Sequence, residues 1–217
     1  SFIDKEFGVD SVVIYPPVGV QNFKLLAKQN LILSVGRFSQ LLQSKRQDVL
    51  VEAFKKMVDD GLLGWRLVLA GGSDIGGKEY ALNLRVQAGK YPIEVLENVS
   101  SSELNKLYSK TKIFWSASGF GIDADKEPEK VEHFGIAVVE AMASECVPII
   151  TSKGGHNEII DNARTGFIWE NEQELNELTL KLTQEEGRRK TIAQEARAKA
   201  QEFSEEKFET EFMELVG

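Results

Sequence analysis

The run LILSVG, Leu31 to Gly36, is the stretch on which the fold turns. It does not alternate apolar with polar residues, as a strand with one wet face would. A strand reads this way when both faces are covered, as in a parallel sheet sandwiched between helices. RLVLAG (66–71), KIFWSA (112–117) and VPIIT (147–151) have the same character. VVIY (12–15), IEVLE (93–97) and GFIW (166–169) complete the set of expected strands.

Between the strands the period changes. Over 46–59, Val49, Leu50, Ala53, Phe54 and Met57 fall on one stripe of a helix. Residues 76–90 predict a more polar helix. SSSELNKLYSK opens with Ser100 and Glu103 at capping-box spacing, and Leu104, Leu107 and Tyr108 supply its apolar face. Strands alternating with helices predict an α/β fold, a doubly wound, mostly parallel sheet of Rossmann-like type with right-handed crossovers. From Asn171 onward only helices are expected, the last starting at Ser204 as N-cap and carrying Phe208, Phe212 and Leu215 on one stripe. YPPVGV (15–20) reads as an extended linker, because two prolines fix its path.

Composition narrows the function. The 217 residues carry a formal charge of −8, so the basic footprint of a nucleic-acid binder is absent and nucleic acid is not expected as a partner. An anionic ligand would have to be met by local cations and backbone N–H groups. A single cysteine, Cys146, excludes an internal disulfide and is expected as a buried, reduced thiol. No apolar run reaches the ~18 residues of a membrane span. The chain opens on SFIDKEFG, without Met or leader pattern, and is expected to be a fragment of a cytoplasmic protein.

In open α/β sheets, ligands bind beyond the carboxyl ends of the strands. The loop after LILSV offers Gly36, Arg37, Lys45 and Arg46, cations suited to a diphosphate or, equally, to a solvated helix start. AGGS (70–73) lacks the G-x-G-x-x-G pattern and reads as a strand-to-helix turn. The long loop after KIFWSA holds Asp123 and Asp125, a poor metal pair without a His or third acid. In VEHFGIAVVEAMA (131–143), a helix is expected to start near Phe134 and Gly135, its free N–H groups forming an anion site. Glu132 precedes that helix and Glu140 lies within it. A carboxylate accepts two hydrogen bonds side by side and so suits a vicinal diol. A dipole partner for Glu132 and a solvated position for Glu140 fit the residues as well. Gly154 and Gly155 are expected to open another helix, with Asn157 or Glu158 near its start and N–H groups towards the ligand. His133 and His156, the only histidines, are expected to make polar contacts rather than to bind metal.

Taken in order, SVGRF (34–38) with Lys45, LVLAGGS (67–73), LENVSSSELNKLYSK (96–110), EHFGIAVVEAMA (132–143), VPIITSKGGHNEII (147–160) and TGFI (165–168) resemble the C-terminal, donor-binding half of a GT-B-fold retaining glycosyltransferase of family 4. The two glutamates with seven residues between them, followed by Ala-Met-Ala, are the most specific of these motifs. The resemblance implies a donor site for a UDP-, GDP- or ADP-linked sugar. Arg37 and Lys45 would bind the diphosphate and stabilise it as it leaves. Glu132 would meet hydroxyls of the transferred hexose and Glu140 those of the ribose. Gly36 and the backbone of Phe134, Gly135 and Ile136 would meet sugar and phosphates, and Val95 and Leu96 would lie near the base. The stretch FSQLLQS between Arg37 and Lys45 is longer than in many members, which leaves Arg46 as an alternative cation and the stretch itself as a flap. No cofactor or metal is implied beyond the donor. Residues 1–20 would be the tail of an N-terminal acceptor domain plus linker, and 21–217 the donor domain. Membrane contact, if any, would be peripheral and through that other domain. A nucleotide-binding regulatory or degenerate module without transferase activity is the alternative.

Overall fold

The computed structural model describes residues 2–39, 45–73, 76–124 and 126–217. Among them, six strands form one parallel sheet: β1 (Leu31–Val35), β2 (Arg66–Gly71), β3 (Ile93–Glu97), β4 (Ile113–Ser116), β5 (Val147–Thr151) and β6 (Phe167–Trp169). The spatial order is β3-β2-β1-β4-β5-β6. The chain thus winds outward from β1 in one direction and then returns to start again at β4. That reversal is the topological switch point of a doubly wound sheet, where open α/β folds place their ligands. The expected fold class is borne out.

Strand side chains divide between two layers because successive residues point to opposite faces. Ile32, Leu67, Leu69, Ile113 and Trp115 enter one apolar cluster. Leu31, Leu33, Val68, Ala70 and Phe114 enter the other. Both faces are therefore dry, which is why LILSV shows no alternation. Helix α1 (Phe2–Phe7) precedes the sheet, and α2 (Gln47–Asp59) and α3 (Gly77–Ala88) cover the first face. All five expected stripe residues of α2 are buried, and Val49, Leu50, Phe54 and Met57 are each worth about 1.5–3 kcal/mol of apolar transfer when fully enclosed. Helices α4 (Ser101–Lys110) and α5 (Ile136–Ala143) cover the second face. Of the terminal helices α6 (Glu172–Gln184), α7 (Glu186–Ala200) and α8 (Glu205–Val216), α7 contributes to both layers and α8 buries no residue. The capping box of α4 forms, with Ser100 and Glu103 each satisfying the other's backbone N–H.

One expected strand is absent. VVIY (12–15) is irregular, with Val12 and Val13 66% and 64% exposed. A strand needs a partner edge, and Pro16 and Pro17, which follow at once, have no N–H to offer one. Tyr15 instead stacks on Phe134, with ring centroids 5.8 Å apart, and meets Phe203 edge-on. Within YPPVGV, Val18 and Val20 are buried and Val18 bridges to Ser204. No helix of the described residues is long and apolar enough to cross a membrane.

Candidate functional site

A cleft of about 510 Å³ opens over the carboxyl ends of β1 and β4, at the switch point. Its floor is Ser34, Val35 and Gly36 from the end of β1 with Phe114 and Ser116 of β4. Its walls are Arg37 and Lys45 on one side and the segment 132–140 on the other.

The β1–α2 turn is held by packing and by one buried side chain. A Cβ on Gly71 would lie 1.9 Å from the Gly36 carbonyl, so the end of β2 presses directly on this turn. Gln47, buried at the start of α2, donates from Nε2 to the carbonyls of Arg37 (3.2 Å) and Gly36 (3.4 Å). Arg46 adopts a left-handed conformation, φ 47°, and turns away: its guanidinium bonds Asp48 and the Phe120 carbonyl. Of the two cations left open by sequence, it is Lys45 that enters the cleft. Arg37 also lines it and is exposed, without an ion-pair partner among the described residues. The expected flap and Asp125 fall, in part and wholly, outside the described residues.

Opposite, Glu132 pairs with Lys45 at 2.6 Å, both side chains about one-fifth exposed. Ser118 Oγ donates to the same carboxylate at 3.3 Å. Burial alone would raise the Glu132 pKa, but Lys45, with His156 and Ser118 adding to it, holds the carboxyl below its ordinary value. Glu132 does not sit on a free loop. Its backbone bridges to Gly154, and Gly155 N–H donates to its carbonyl at 2.7 Å. A Cβ on Gly154 would meet Glu132 backbone at 2.2 Å, and one on Gly155 the His133 carbonyl at 2.1 Å. This corrects the expectation for these glycines: they open only a 3₁₀ turn (Gly155–Glu158), and the Gly155 N–H is committed to protein. The sequence signal was the glycine pair; what it permits is close approach of two backbones.

Helix α5 begins where φ turns to 108° at Gly135, a conformation that favours glycine. A side chain there would also come within 2.9 Å of His156 Cβ. The first N–H groups of an α-helix have no intrahelical partner, so Ile136 and Ala137 bring donors and the positive end of the helix dipole to the cleft. His156 is fully buried beneath, with Nε2 donating to the Thr151 carbonyl at 2.8 Å. Its pKa is lowered, by burial first. His133 lines the cleft and is exposed.

Glu140, one turn into α5, also reaches the cleft and accepts a hydrogen bond from Tyr108 Oη at 2.8 Å. Burial raises its pKa, and the Tyr108 bond offsets only part of that. Tyr108 is fully buried, and its hydroxyl pKa lies well above 10, through burial and the neighbouring Glu140. Sequence reasoning placed Tyr108 on an apolar face and missed its hydroxyl. Gln47 and Ser118 were missed as well, since neither stands in a motif. Val95 and Leu96 do not line the cleft. Val95 is buried in the α2–α3 layer with its carbonyl accepting from Arg85, and Leu96 packs at the margin of the other layer.

Comparison with known proteins agrees with this architecture. Residues 20–199 match the family model described as glycosyl transferases group 1. A mannosyltransferase of Dictyostelium discoideum, GDP-Man:Man(3)GlcNAc(2)-PP-Dol alpha-1,2-mannosyltransferase, is 29% identical over 98% of the chain, which spans 43% of that protein. The chain spans less than half of the first curated relatives it matches. Among solved structures, Anabaena Alr3699/HepE, described in complex with UDP and glucose, superposes with TM-score 0.75 at 19% identity, over 94% of this chain and 56% of that one. The C-terminal domain of a group 1 glycosyl transferase (LpcC) from Francisella tularensis gives TM-score 0.66 at 21% identity, over 85% of this chain and 96% of that one. With the family model matched over most of its length, the chain belongs to the glycosyl transferases group 1 family.

Proposed function

We propose that this chain is the donor-binding part of a retaining glycosyltransferase, one that moves a hexosyl group from a nucleotide diphosphate sugar to an acceptor hydroxyl. The observation that carries the reading is convergence: Arg37, Lys45, the start of α5, Glu132 and Glu140 share one cleft at the switch point of the sheet. The diphosphate lies over the first turn of α5, between the two cations. As the bond to the anomeric carbon breaks, charge grows on the leaving phosphate. Cations and N–H groups already fixed around it stabilise that charge with little reorganisation. In this reading the protein itself supplies the neutralising charge, and no cofactor besides the donor is assigned. Glu132 takes hydroxyls of the sugar and Glu140 the diol of the ribose. Because Glu132 already holds Lys45, an incoming diphosphate shares that ammonium with it.

Acceptor binding is assigned to an N-terminal domain, so the chain alone binds donor and transfers little. A buried, unpaired thiol at Cys146 suits the cytoplasmic placement. The Dictyostelium relative is named for GDP-Man, and the HepE complex contains UDP and glucose. GDP-mannose therefore heads the donor panel, followed by UDP- and ADP-sugars. Thermal unfolding is the test. A bound nucleotide at a hundredfold excess over Kd stabilises by about 2.7 kcal/mol. For a chain of this size that is a rise of roughly 5–11 °C in Tm. A flat response to every nucleotide and sugar nucleotide would sink the donor-site reading, and Arg37→Ala should abolish any rise seen.

A further inference from the structure

At the opposite edge of the sheet, a second cavity of about 410 Å³ lies between the segments that lead into β1, β4 and β5 and the first turn of α7. It is lined by Lys28, Lys112, Arg189 and Lys190, with Glu145 and Glu186 among them. Four cations against two carboxylates leave a local excess of positive charge in a protein whose net charge is −8.

The charges are poorly matched. Lys190 pairs with Glu186 at 2.8 Å, while Glu145 has only a 3.9 Å contact to Arg197. Lys28 donates to the Thr111 and Ser144 carbonyls, at the ends of α4 and α5. Lys112 bonds Asn30 at 2.6 Å and sits over the Trp65 ring. Arg189 is 4% exposed, and its side chain donates from Nη1 to the Leu182 carbonyl at 2.8 Å. Among the described residues, none of Lys28, Lys112 and Arg189 has a carboxylate within ion-pair distance. A structural role explains Lys28, which caps two helix ends, and one nitrogen of Arg189, which ties α7 to α6. It leaves the rest of the guanidinium, which lines the cavity with Lys112, without a carboxylate partner among the described residues. Burial depresses the pKa of Lys28, Lys112 and Arg189, with Glu145 offsetting part of it at Lys28 and Glu186 part of it at Lys112 and Arg189; Arg189 and Lys190 depress that of Lys112 further. The repulsion falls on Lys112, and an anion in the cavity relieves it.

We infer that this cavity is a second ligand site, separate from the donor cleft, which takes a small molecule through its phosphate group. A dianion matches the local excess of two charges, and a planar guanidinium fork binds two phosphate oxygens side by side. The volume is that of a small-molecule pocket rather than a surface dimple. The site does not depend on the donor reading, because it shares no residue with the cleft.

The probes are inorganic phosphate and glycerol 3-phosphate, titrated into the 217-residue chain at ionic strength held constant with chloride. Phosphate can also enter the donor cleft, so Arg37→Gln is measured beside the native chain. Both should show a saturable rise in Tm, with the folded-to-unfolded ratio up about elevenfold at ten times Kd. The Lys112→Gln/Lys190→Gln double variant alters exposed or half-exposed side chains and should melt close to native without phosphate. It should lose the phosphate-dependent rise. Arg189→Lys keeps the charge but not the fork and should weaken binding severalfold. A rise that vanishes in Arg37→Gln and survives in the double variant assigns the binding to the donor cleft and overturns the proposal. No rise in any form overturns it equally.

Discussion

At the scale of single residues, the two glutamates of VEHFGIAVVEAMA differ in kind. Glu132 is held ionised by a cation; Glu140 is half-buried with only a neutral hydroxyl for company. A carboxyl whose folded pKa is depressed contributes stability above its unfolded pKa and loses it as pH falls through the folded value. Glu132 behaves this way in the native chain. In Lys45→Gln the ion pair is gone and burial governs, so the Glu132 pKa should move above its ordinary value. The variant's deficit against native should then shrink as pH drops from 7 to about 4, read from urea midpoints across that range. A deficit constant with pH would mean that Lys45 does not set the charge state of Glu132. Glu140 has the opposite sign. Its raised pKa means the fold disfavours the ionised form, so Glu140→Gln, which still accepts from Tyr108, should melt higher than native at neutral pH. The same variant should bind nucleotide more weakly, because the amide replaces a charged double acceptor with one acceptor and one donor. Higher Tm together with unchanged nucleotide affinity would remove Glu140 from the proposed ribose contact.

At the scale of elements, the legible parts were those whose signal is local. The capping box of α4, the stripe of α2 and the dry strands follow from spacing alone, because each is fixed by its own period. VVIY failed because strand propensity says nothing about a free edge. The Gly154–Gly155 turn was legible as special but not in purpose, since its cause, the backbone of Glu132 and His133, lies twenty residues away in sequence. A methyl group makes this testable. Gly155→Ala would place Cβ 2.1 Å from the His133 carbonyl and force the two segments apart. Overpacking of this sort costs typically 1–3 kcal/mol, a fall of roughly 2–12 °C in Tm. Donor binding should fall with it, since Glu132 rides on the displaced segment. Gly187→Ala, in the first turn of α7 where a Cβ meets nothing within 4 Å, is the control: it should leave donor binding unchanged and raise Tm by roughly 1–4 °C. If Gly155→Ala matches that control, the close approach is not what fixes Glu132.

At the scale of the whole molecule, the cleft owes its existence to strand order. Sequence pattern identified loops at the ligand edge but not which of them meet. Nothing in Gly36, Ser116 or Glu132 says that β1 and β4 are neighbours; pairing between strands some eighty residues apart is a property of the assembled sheet. The resemblance of motifs supplied what periodicity did not. The assembled sheet also predicts how the molecule unfolds. The two apolar layers are built from alternate residues of the same strands, so neither survives loss of the other. Unfolding should be a single transition seen alike by tryptophan fluorescence and far-ultraviolet circular dichroism, since Trp115 is buried in one layer. Residues 4–13 stand outside this unit: all but Asp4 and Ser11 are exposed, and from Asp4 onward the first buried residue is Val18. Deleting residues 1–14 should therefore leave Tm within about 3 °C of native, the effect of less than ~1 kcal/mol in a chain of this length. It keeps Tyr15, whose ring packs on Phe134 beside the cleft. Extending the deletion by one residue removes that ring and its hydroxyl bond to Glu158, and nucleotide binding should weaken at that step and not before. Two separated transitions would show that the two layers unfold independently, and a large loss of Tm on deleting residues 1–14 would show that the folding unit extends beyond the sheet and its two layers.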